Sequence, residues 1–457
     1  MKTGPRALQY SLELSDEEID ELVGVPPKQL DLVDIDVLVG AGMLEAALAK
    51  VVVPDPQTRD LLRQLIAKAQ AHATTNLDSD ENYLKGAYSK RPWGQARRPA
   101  ICLTGLQGVG KSELLQALGR ILLRHPGTFS VPRHLNVPLV PFWMVTLVNG
   151  DGLNELLRKY IDPLWDAEQP DAMEKPKAEK PEKNWPIPKL LALAQRRSWV
   201  NATCLIVVDE FQWIAASTSA NARAASVLLK LLGIGPLLVY CANFSLGHKL
   251  KLRPPEEQDR LLSRPLIMKP LASESPEFTT YLAALQQVAP ELFVFDLKRD
   301  AEQIHLYTYG IRRKMVDLLV VAYQISSRKG GRGKVGAQEL LQAYRSELYL
   351  THRGHVEILF RQQVTGKMEE KDLWCPFGSM DPVRSNVKEA VQIIQAFEKR
   401  TEDALLDAAL TPSEAVAAAA IEPDRRKNAV PGKVIRFRRG KVTKEDLLAG
   451  AASLDSI

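Results

Sequence analysis

The clearest chemical signal in this chain is the run Gly-Leu-Gln-Gly-Val-Gly-Lys-Ser at 105–112. A glycine, four residues, a second glycine, a lysine and a serine have the spacing of a loop that wraps around phosphate groups. The backbone N–H groups of such a loop face phosphate oxygens. Lys111 would carry its charge to the β- and γ-phosphates, and Ser112 would offer its hydroxyl to Mg²⁺. The expected binding residues are Gly105, Gln107, Gly108, Val109, Gly110, Lys111, Ser112 and Glu113.

The stretches on either side of this loop agree with that chemistry. Residues 100–104 form a short apolar run typical of a buried strand, and 112–123 carry apolar residues at helical spacing. The loop is therefore expected between a strand and a helix N-terminus, where the helix dipole favours an anion. A chance match in a glycine-containing turn is the alternative, and the two flanks count against it.

A pair of carboxylates provides the second signal. Residues 204–208 are continuously apolar, as in a strand buried on both faces of a parallel sheet, and Asp209 and Glu210 follow them. Ligands bind at the carboxyl ends of such strands in open α/β sheets. We expect Asp209 to hold the metal opposite Ser112, and Glu210 to orient or deprotonate an attacking water. An acidic strand end that only faces solvent is the alternative.

Polar residues accompany two further strands and a helix start. The apolar run 236–242 ends in Asn243, which is either a catalytic polar group or an ordinary turn former. Arg260 and Arg264 precede a last apolar strand at 265–268. Arg313, with Arg312 in reserve, opens a later helix and could reach the phosphates, although the same basic group could be solvated or touch DNA.

Composition limits the class of protein. The chain has 457 residues, enough for two or three domains, and a net charge of +5, so any basic surface must be local. Three of the four cysteines lie in apolar runs, which favours a reducing compartment over a disulfide framework. The N-terminus lacks an apolar secretion signal, and no apolar run is long enough to span a membrane. We therefore expect a soluble, cytoplasmic protein.

The chain divides by pattern into four parts. They are a mostly helical N-terminal segment at 1–96, a P-loop core at 97–271, a helical lid at 272–372 and a C-terminal tail at 373–457. The mixed-charge stretch 166–185 is read as a solvated insertion, with DNA contact as the alternative. A basic loop in the lid supplies candidate DNA contacts, or is simply solvated; its residues are Arg328, Lys329 and Arg332. The tail carries basic residues at 433–441 that could bind a partner. Tyr83, Tyr88 and Trp93 could stack on adenine, or pack.

Taken in order, these features resemble the layout of AAA+ ATPases. The resemblance implies an α/β P-loop fold with a parallel sheet core and a small helical lid, ATP and Mg²⁺ as cofactors, and hydrolysis of ATP to ADP and phosphate. In that family the residue at the position of Asn243 senses the γ-phosphate. An arginine before the last strand reaches into the neighbouring subunit, which favours Arg264 over Arg260. The catalytic set implied is Glu210, Asn243, Arg264, Arg260 and Arg313.

Finer features are similar to one branch, the TnsC/TniB ATPases of Tn-seven-like transposons. Residues 208–212 read Val-Asp-Glu-Phe-Gln, close to an Asp-Glu-aliphatic-Gln signature, and the lid pattern from Gly310 to Gln324 is similar. The branch differs in having an aliphatic residue at the position of Phe211 and a proline at that of Leu106. The resemblance implies a transposition regulator that forms an ATP-bound ring or filament on double-stranded DNA. It would answer to a target-selection protein, recruit transposase subunits through its tail, and disassemble on hydrolysis.

Two other functions are open. The chain could be an AAA+ loader or defence-type ATPase that remodels protein without encircling DNA, or a nucleotide-gated scaffold with negligible turnover. DNA binding that requires ATP separates the first of these from a transposition regulator, and steady-state phosphate release separates the second.

Overall fold

A computed structural model describes residues 10, 14–32, 34–89, 93, 98–124, 127–148, 152–161, 185–212, 220–327 and 333–378. These residues belong to one compact unit, Met1–Ile394. The candidate DNA contacts at 328–332, nearly all of the insertion and the tail beyond 378 lie outside the described residues. No helix in the described ranges is long and apolar enough to cross a bilayer.

The core is a parallel five-stranded sheet in the order β4-β5-β6-β1-β7. Its strands are β1 (Ile101–Gly105), β4 (Phe142–Thr146), β5 (Leu205–Asp209), β6 (Leu237–Ala242) and β7 (Leu266–Met268). Every residue of β1, β5 and β6 is buried, because helices cover both faces of the sheet. The strands expected from the apolar runs are confirmed, and so is the α/β P-loop fold with its helical lid.

Alternate residues of the strands face two separate hydrophobic clusters. Val207 and Cys241 pack on the side of the P-loop helix, whereas Val208 and Tyr240 pack on the opposite side. The covering helices are α5 (Lys111–Leu123), α6 (Leu153–Ile161), α7 (Ile187–Val200), α8 (Ala220–Leu232), α9 (Phe244–Leu250) and α10 (Pro255–Leu261). Because side chains alternate along a strand, Asp209 faces the same side as Val207, toward the P-loop helix.

A hairpin that the sequence analysis missed lies between α5 and β4. Its antiparallel strands are β2 (Gly127–Val131) and β3 (His134–Leu139). Phe129 and Val137 are buried while their neighbours are exposed, which is the alternation expected of a strand with one covered face. The ring of Phe129 meets that of Tyr83 edge to face, so the hairpin covers part of the N-terminal region.

Four helices form the described N-terminal region: α1 (Asp16–Val23), α2 (Val37–Ala49), α3 (Pro56–Asn76) and α4 (Asp80–Ala87). The capping box expected at Ser15 and Glu18 is present at the start of α1. Arg59 joins α3 to α1 through a 2.8 Å bond from its Nε to Asp20. These contacts fix the N-terminal helices to one another and to the sheet.

The lid has its own hydrophobic core. It consists of α11 (Pro276–Gln286), α12 (Leu297–Thr308), α13 (Arg312–Ser327), α14 (Ala337–Arg345) and α15 (Leu350–Thr365). Leu44 and Leu48 of α2 belong to this core. Gly40 is packed so closely that a Cβ there would lie 2.4 Å from the hydroxyl of Tyr323 in α13. The lid is therefore built partly from the N-terminal region.

The three aromatic residues considered for adenine stacking do not lie at the P-loop. Trp93 stacks on His72 and meets Trp199 edge to face, and its Nε1 donates to a carbonyl of α7. Tyr83 is buried and donates its hydroxyl to Val200. Tyr88 is exposed and contacts the hairpin. The packing alternative is the correct one, because these rings fill the seam between α4, α7 and the start of β6.

The packing of α4 gives a stability prediction. Gly86→Ala should lower the free energy of unfolding by about 1–3 kcal/mol, the usual cost of overpacking. The reason is that a Cβ at Gly86 would lie 2.1 Å from Cε2 of the buried Trp199. Gly42→Ala in α2 is the matched control, since a Cβ there meets nothing within 4 Å. It should raise stability by about 0.5–1 kcal/mol. Urea denaturation followed by tryptophan fluorescence compares them, and equal stability of Gly86→Ala and wild type would contradict this packing.

Candidate nucleotide-binding site

The P-loop connects β1 to α5 and brings Lys111 to the carboxyl end of the sheet. Gly108 and Gly110 have φ angles of 82° and 110°, a left-handed backbone that glycine adopts without strain. The Lys111 ammonium donates to the carbonyls of Gly105 and Leu106, at 3.0 and 2.8 Å. Its nitrogen also lies 3.5 Å from Oδ1 of Asn243. The structure thus joins the P-loop lysine to the asparagine that follows β6.

The Lys111 ammonium is buried among charges of both signs. Burial lowers its pKa, and the positive charge of Arg313 acts in the same direction. The side chains of Cys241, Glu210 and Asp209 oppose this shift. A nucleotide phosphate would add negative charge at a cation that has little contact with water, which is where an ionic contact is strong.

The two predicted carboxylates lie at the end of β5, but they have different surroundings. Asp209 is buried, and its Oδ1 accepts the N–H of Glu210 at 2.8 Å. Glu210 is partly exposed and has a φ of 55°, which is uncommon for a residue with a Cβ. Gln212 donates its amide to Oε2 of Glu210. A strained backbone at such a place is typical of functional sites, and Gln212 limits the freedom of the Glu210 carboxylate.

The oxygen donors fit a magnesium ion bound together with phosphates. No group of three or more His, Cys, Asp or Glu in the described part of the chain could enclose a metal. Mg²⁺ commonly takes only one or two protein ligands and fills its remaining positions with phosphate oxygens and water. Asp209 keeps an oxygen that is not bonded to Glu210, and Ser112 lies in the first turn of α5. These two residues would hold the metal.

The lid touches the P-loop through the start of α13. The N–H of Arg313 donates to the carbonyl of Gly108 at 3.1 Å, and a Cβ at Gly108 would lie 2.7 Å from the Cβ of Arg313. Arg312 lies over the next glycine, where a Cβ at Gly110 would be 2.9 Å from its Nη1. Both arginines considered for phosphate contact therefore border the loop, and Arg313 is the one tied to it by a backbone hydrogen bond.

The other two arginines lie elsewhere. The carbonyl of Arg260 accepts the N–H of Ala100 at 2.8 Å, next to the start of β1. Arg264 is exposed and precedes β7, which runs parallel to β1. Both therefore occupy the end of the sheet where the strands begin, whereas the P-loop occupies the end where they finish. The structure does not bring them to the phosphate site of their own chain.

A cavity beside the P-loop was not foreseen from the sequence. It encloses about 220 Å³ and is lined by Val23, Val52, Val53, Thr58, Gly110, Glu113, Leu114, Ala117, Met268 and Arg312. Arg120 positions one wall, since it donates to the carbonyl of Val23 at 3.1 Å and to Glu113 at 2.8 Å. Gln57 positions another through two hydrogen bonds with the backbone of Lys269, at 3.2 and 3.0 Å. Walls drawn from segments far apart in sequence leave no local pattern.

The buried lysine gives a binding prediction. Lys111→Ala should weaken ATP binding by at least tenfold, because it removes the cation that would face the phosphates; a charged hydrogen bond contributes about 1.5–3 kcal/mol. Isothermal titration with a non-hydrolysable ATP analogue measures the change. Lys230→Ala, in an exposed position of α8, is the control for loss of a lysine charge. Wild-type affinity in Lys111→Ala would show that the loop at 105–112 does not bind phosphate.

Comparison with known proteins agrees with this geometry. Residues 82–240 match the family model described as the AAA ATPase domain. No curated protein matches the chain. Among solved structures, the ORC1 protein of Aeropyrum pernix in complex with DNA is 18% identical with a TM-score of 0.39, covering 76% of this chain and 84% of that one. A Walker-type ATPase of Pyrococcus abyssi is 15% identical with a TM-score of 0.36, covering 69% and 88%. The family match and the site geometry identify 82–240 as the AAA-type ATPase domain of this chain.

Proposed function

We propose that this protein is an ATP-dependent regulator of DNA transposition of the TnsC/TniB type. It assembles with further copies of itself on double-stranded target DNA while ATP is bound, recruits the transposase, and disassembles after hydrolysis. The observation that carries the proposal is the placement of Lys111 and Asp209 at one end of the sheet and of Arg264 at the other. A chain with this arrangement needs a neighbour to complete its site.

The residues around Glu210 support the narrower assignment. The Val-Asp-Glu-Phe-Gln run at 208–212 resembles the signature of that branch, and the structure supplies a reason for two of its positions. Phe211 is buried and packs edge to face against Tyr240, which anchors the turn after β5. Gln212 bonds to the carboxylate of Glu210. The motif therefore holds the proposed catalytic carboxylate rather than merely following it.

Within one subunit, hydrolysis would use the groups at the carboxyl end of the sheet. Bound Mg²⁺ would neutralise phosphate charge, and Asp209 and Ser112 would hold it. Lys111 would exchange its present carbonyl partners for the β- and γ-phosphates. Glu210 would orient the attacking water and accept its proton. Asn243, already within 3.5 Å of Lys111, would contact the γ-phosphate or that water.

Between subunits, Arg264 would supply the missing positive charge. It is exposed at the face of the chain opposite its own P-loop, so a neighbouring copy stacked on that face could receive it. An arginine supplied in this way increases phosphoryl-transfer rates by roughly 10³–10⁵. The same contact would exist only while the γ-phosphate is present, which links assembly to the nucleotide state.

DNA binding would follow from assembly. Each subunit would contribute a few basic contacts, for which Arg328, Lys329 and Arg332 are the candidates. Many weak contacts on one duplex give high avidity, and their affinity falls steeply with added salt. The tail beyond 378 would recruit transposase subunits, and a target-selection protein would decide where assembly begins.

This function predicts a trapped complex when hydrolysis is slowed. Glu210→Gln keeps the shape of the side chain and its bond to Gln212, but it cannot accept a proton. It should bind ATP normally, release phosphate at least a hundredfold more slowly, and remain on DNA after excess ATP is removed. Phosphate release and the anisotropy of a labelled 50-base-pair duplex measure the two effects.

The control for this experiment is Glu302→Gln, at an exposed position of α12, which should turn over and dissociate like wild type. Normal turnover by Glu210→Gln would show that another group is the base. ATP binding and slow turnover without any ATP-dependent DNA binding would instead favour a loader or remodelling ATPase.

A further inference from the structure

Two polar atoms in the cavity beside the P-loop have no partner. Thr58 Oγ1 and Arg312 Nε are buried and make no hydrogen bond with any residue the structure describes. Thr58 is 4% exposed, and both residues line the cavity. A buried polar group without a partner costs about 1–3 kcal/mol. Two such groups facing one cavity therefore indicate a ligand with complementary polar atoms.

A single carboxylate holds both residues in place. Oδ1 of Asp55 accepts the N–H of Thr58 at 2.6 Å, and Oδ2 accepts from Nη2 of Arg312 at 2.6 Å. Asp55 is itself buried and caps the N-terminus of α3. The pair is thus fixed across the junction of the N-terminal region and the lid. The hydroxyl and Nε are the parts of these side chains that remain unused.

The remaining walls are apolar. Val23, Val52 and Val53 come from the N-terminal region, and Leu114 and Met268 come from the core. The volume of about 220 Å³ lies below the roughly 300–1,000 Å³ of pockets that take a whole small molecule. A cavity of this size suits one flat, apolar portion of a ligand with a polar edge, while the rest of the ligand extends past Gly110 to the phosphate loop.

We propose that Thr58 and Arg312 read the edge of the nucleotide base and make the site selective for adenine. This inference rests on the proposed ATP binding. Nε–H of arginine only donates, whereas a threonine hydroxyl donates or accepts. Adenine presents a ring-nitrogen acceptor beside its amino donor. Arg312 donates to the ring nitrogen, and Thr58 accepts from the amino group.

The test is equilibrium binding by Thr58→Val, which preserves side-chain shape but has no hydroxyl. ATP should bind roughly three- to tenfold more weakly, the usual effect of one neutral hydrogen bond. Inorganic tripolyphosphate, which has no base, should bind as it does to wild type. Purine riboside triphosphate lacks the amino group, so it should bind wild type and Thr58→Val equally. Thr58→Ser should restore ATP affinity.

Two further variants complete the design. Arg312→Lys keeps a positive charge beside Asp55 but has no Nε, so it should weaken ATP binding and spare tripolyphosphate. Thr280→Val, at an exposed position of α11, is the matched control and should bind ATP like wild type. Thermal denaturation confirms that each variant is folded.

The outcomes separate this inference from the function on which it rests. Wild-type protein that binds neither ATP nor tripolyphosphate would overturn both. Wild-type protein that binds ATP, with unchanged ATP affinity in Thr58→Val, would overturn the base-reading role alone. Equal losses for ATP and tripolyphosphate would also overturn it, because the effect would then lie at the phosphates.

Discussion

Strand β6 lies between β1 and β5, and the rest of the candidate site depends on that order. Parallel pairing aligns the carboxyl ends of the three strands, so the P-loop, Asp209 and Asn243 come together although they are far apart in sequence. The 3.5 Å approach of Lys111 to Asn243 is the direct sign of this convergence. The same pairing puts the start of β7, and Arg264 before it, at the opposite end of the sheet.

The N-terminal region and the lid close over the loop from two sides. Arg313 is bonded to Gly108, and Arg312 reaches across to Asp55 at the start of α3. Both side chains of the ion pair between Arg312 and Asp55 are largely buried, at 14% and 5% exposure. Removing one partner of a buried pair commonly costs about 3–5 kcal/mol. The lid, the N-terminal region and the P-loop therefore meet at one place, where a nucleotide would contact all three.

Local patterns predicted the core of this architecture well. The glycine spacing of the P-loop and the apolar runs before Asp209 and Asn243 each report on a few neighbouring residues, and the structure has those elements in that order. The hairpin at 127–139 was missed, although the alternation around Phe129 could have indicated it. The rings of Tyr83 and Trp93 could not be assigned, because an aromatic side chain packs in a core as readily as it stacks on a base.

Features that depend on distant segments could not be read from the sequence. The cavity combines residues around 23, 52, 58, 110 and 312, and nothing in their local composition links them. Arg312 and Arg313 are adjacent at the start of α13, so spacing alone could not tell which one contacts the loop. The backbone bond from Arg313 to Gly108 distinguishes them. The trans role of Arg264 and the DNA contacts in the lid stay predictions.

The central claim is that each ATP site is completed by a neighbouring copy. It is tested most directly by phosphate release from a mixture of Lys111→Ala, which keeps an intact Arg264, and Arg264→Ala, which keeps an intact loop. Each variant alone should be inactive, and the mixture should regain part of the wild-type rate. Mixtures of either variant with the double variant should stay inactive, because one of the two groups is then missing throughout. Wild-type turnover by Arg264→Ala alone would contradict the account.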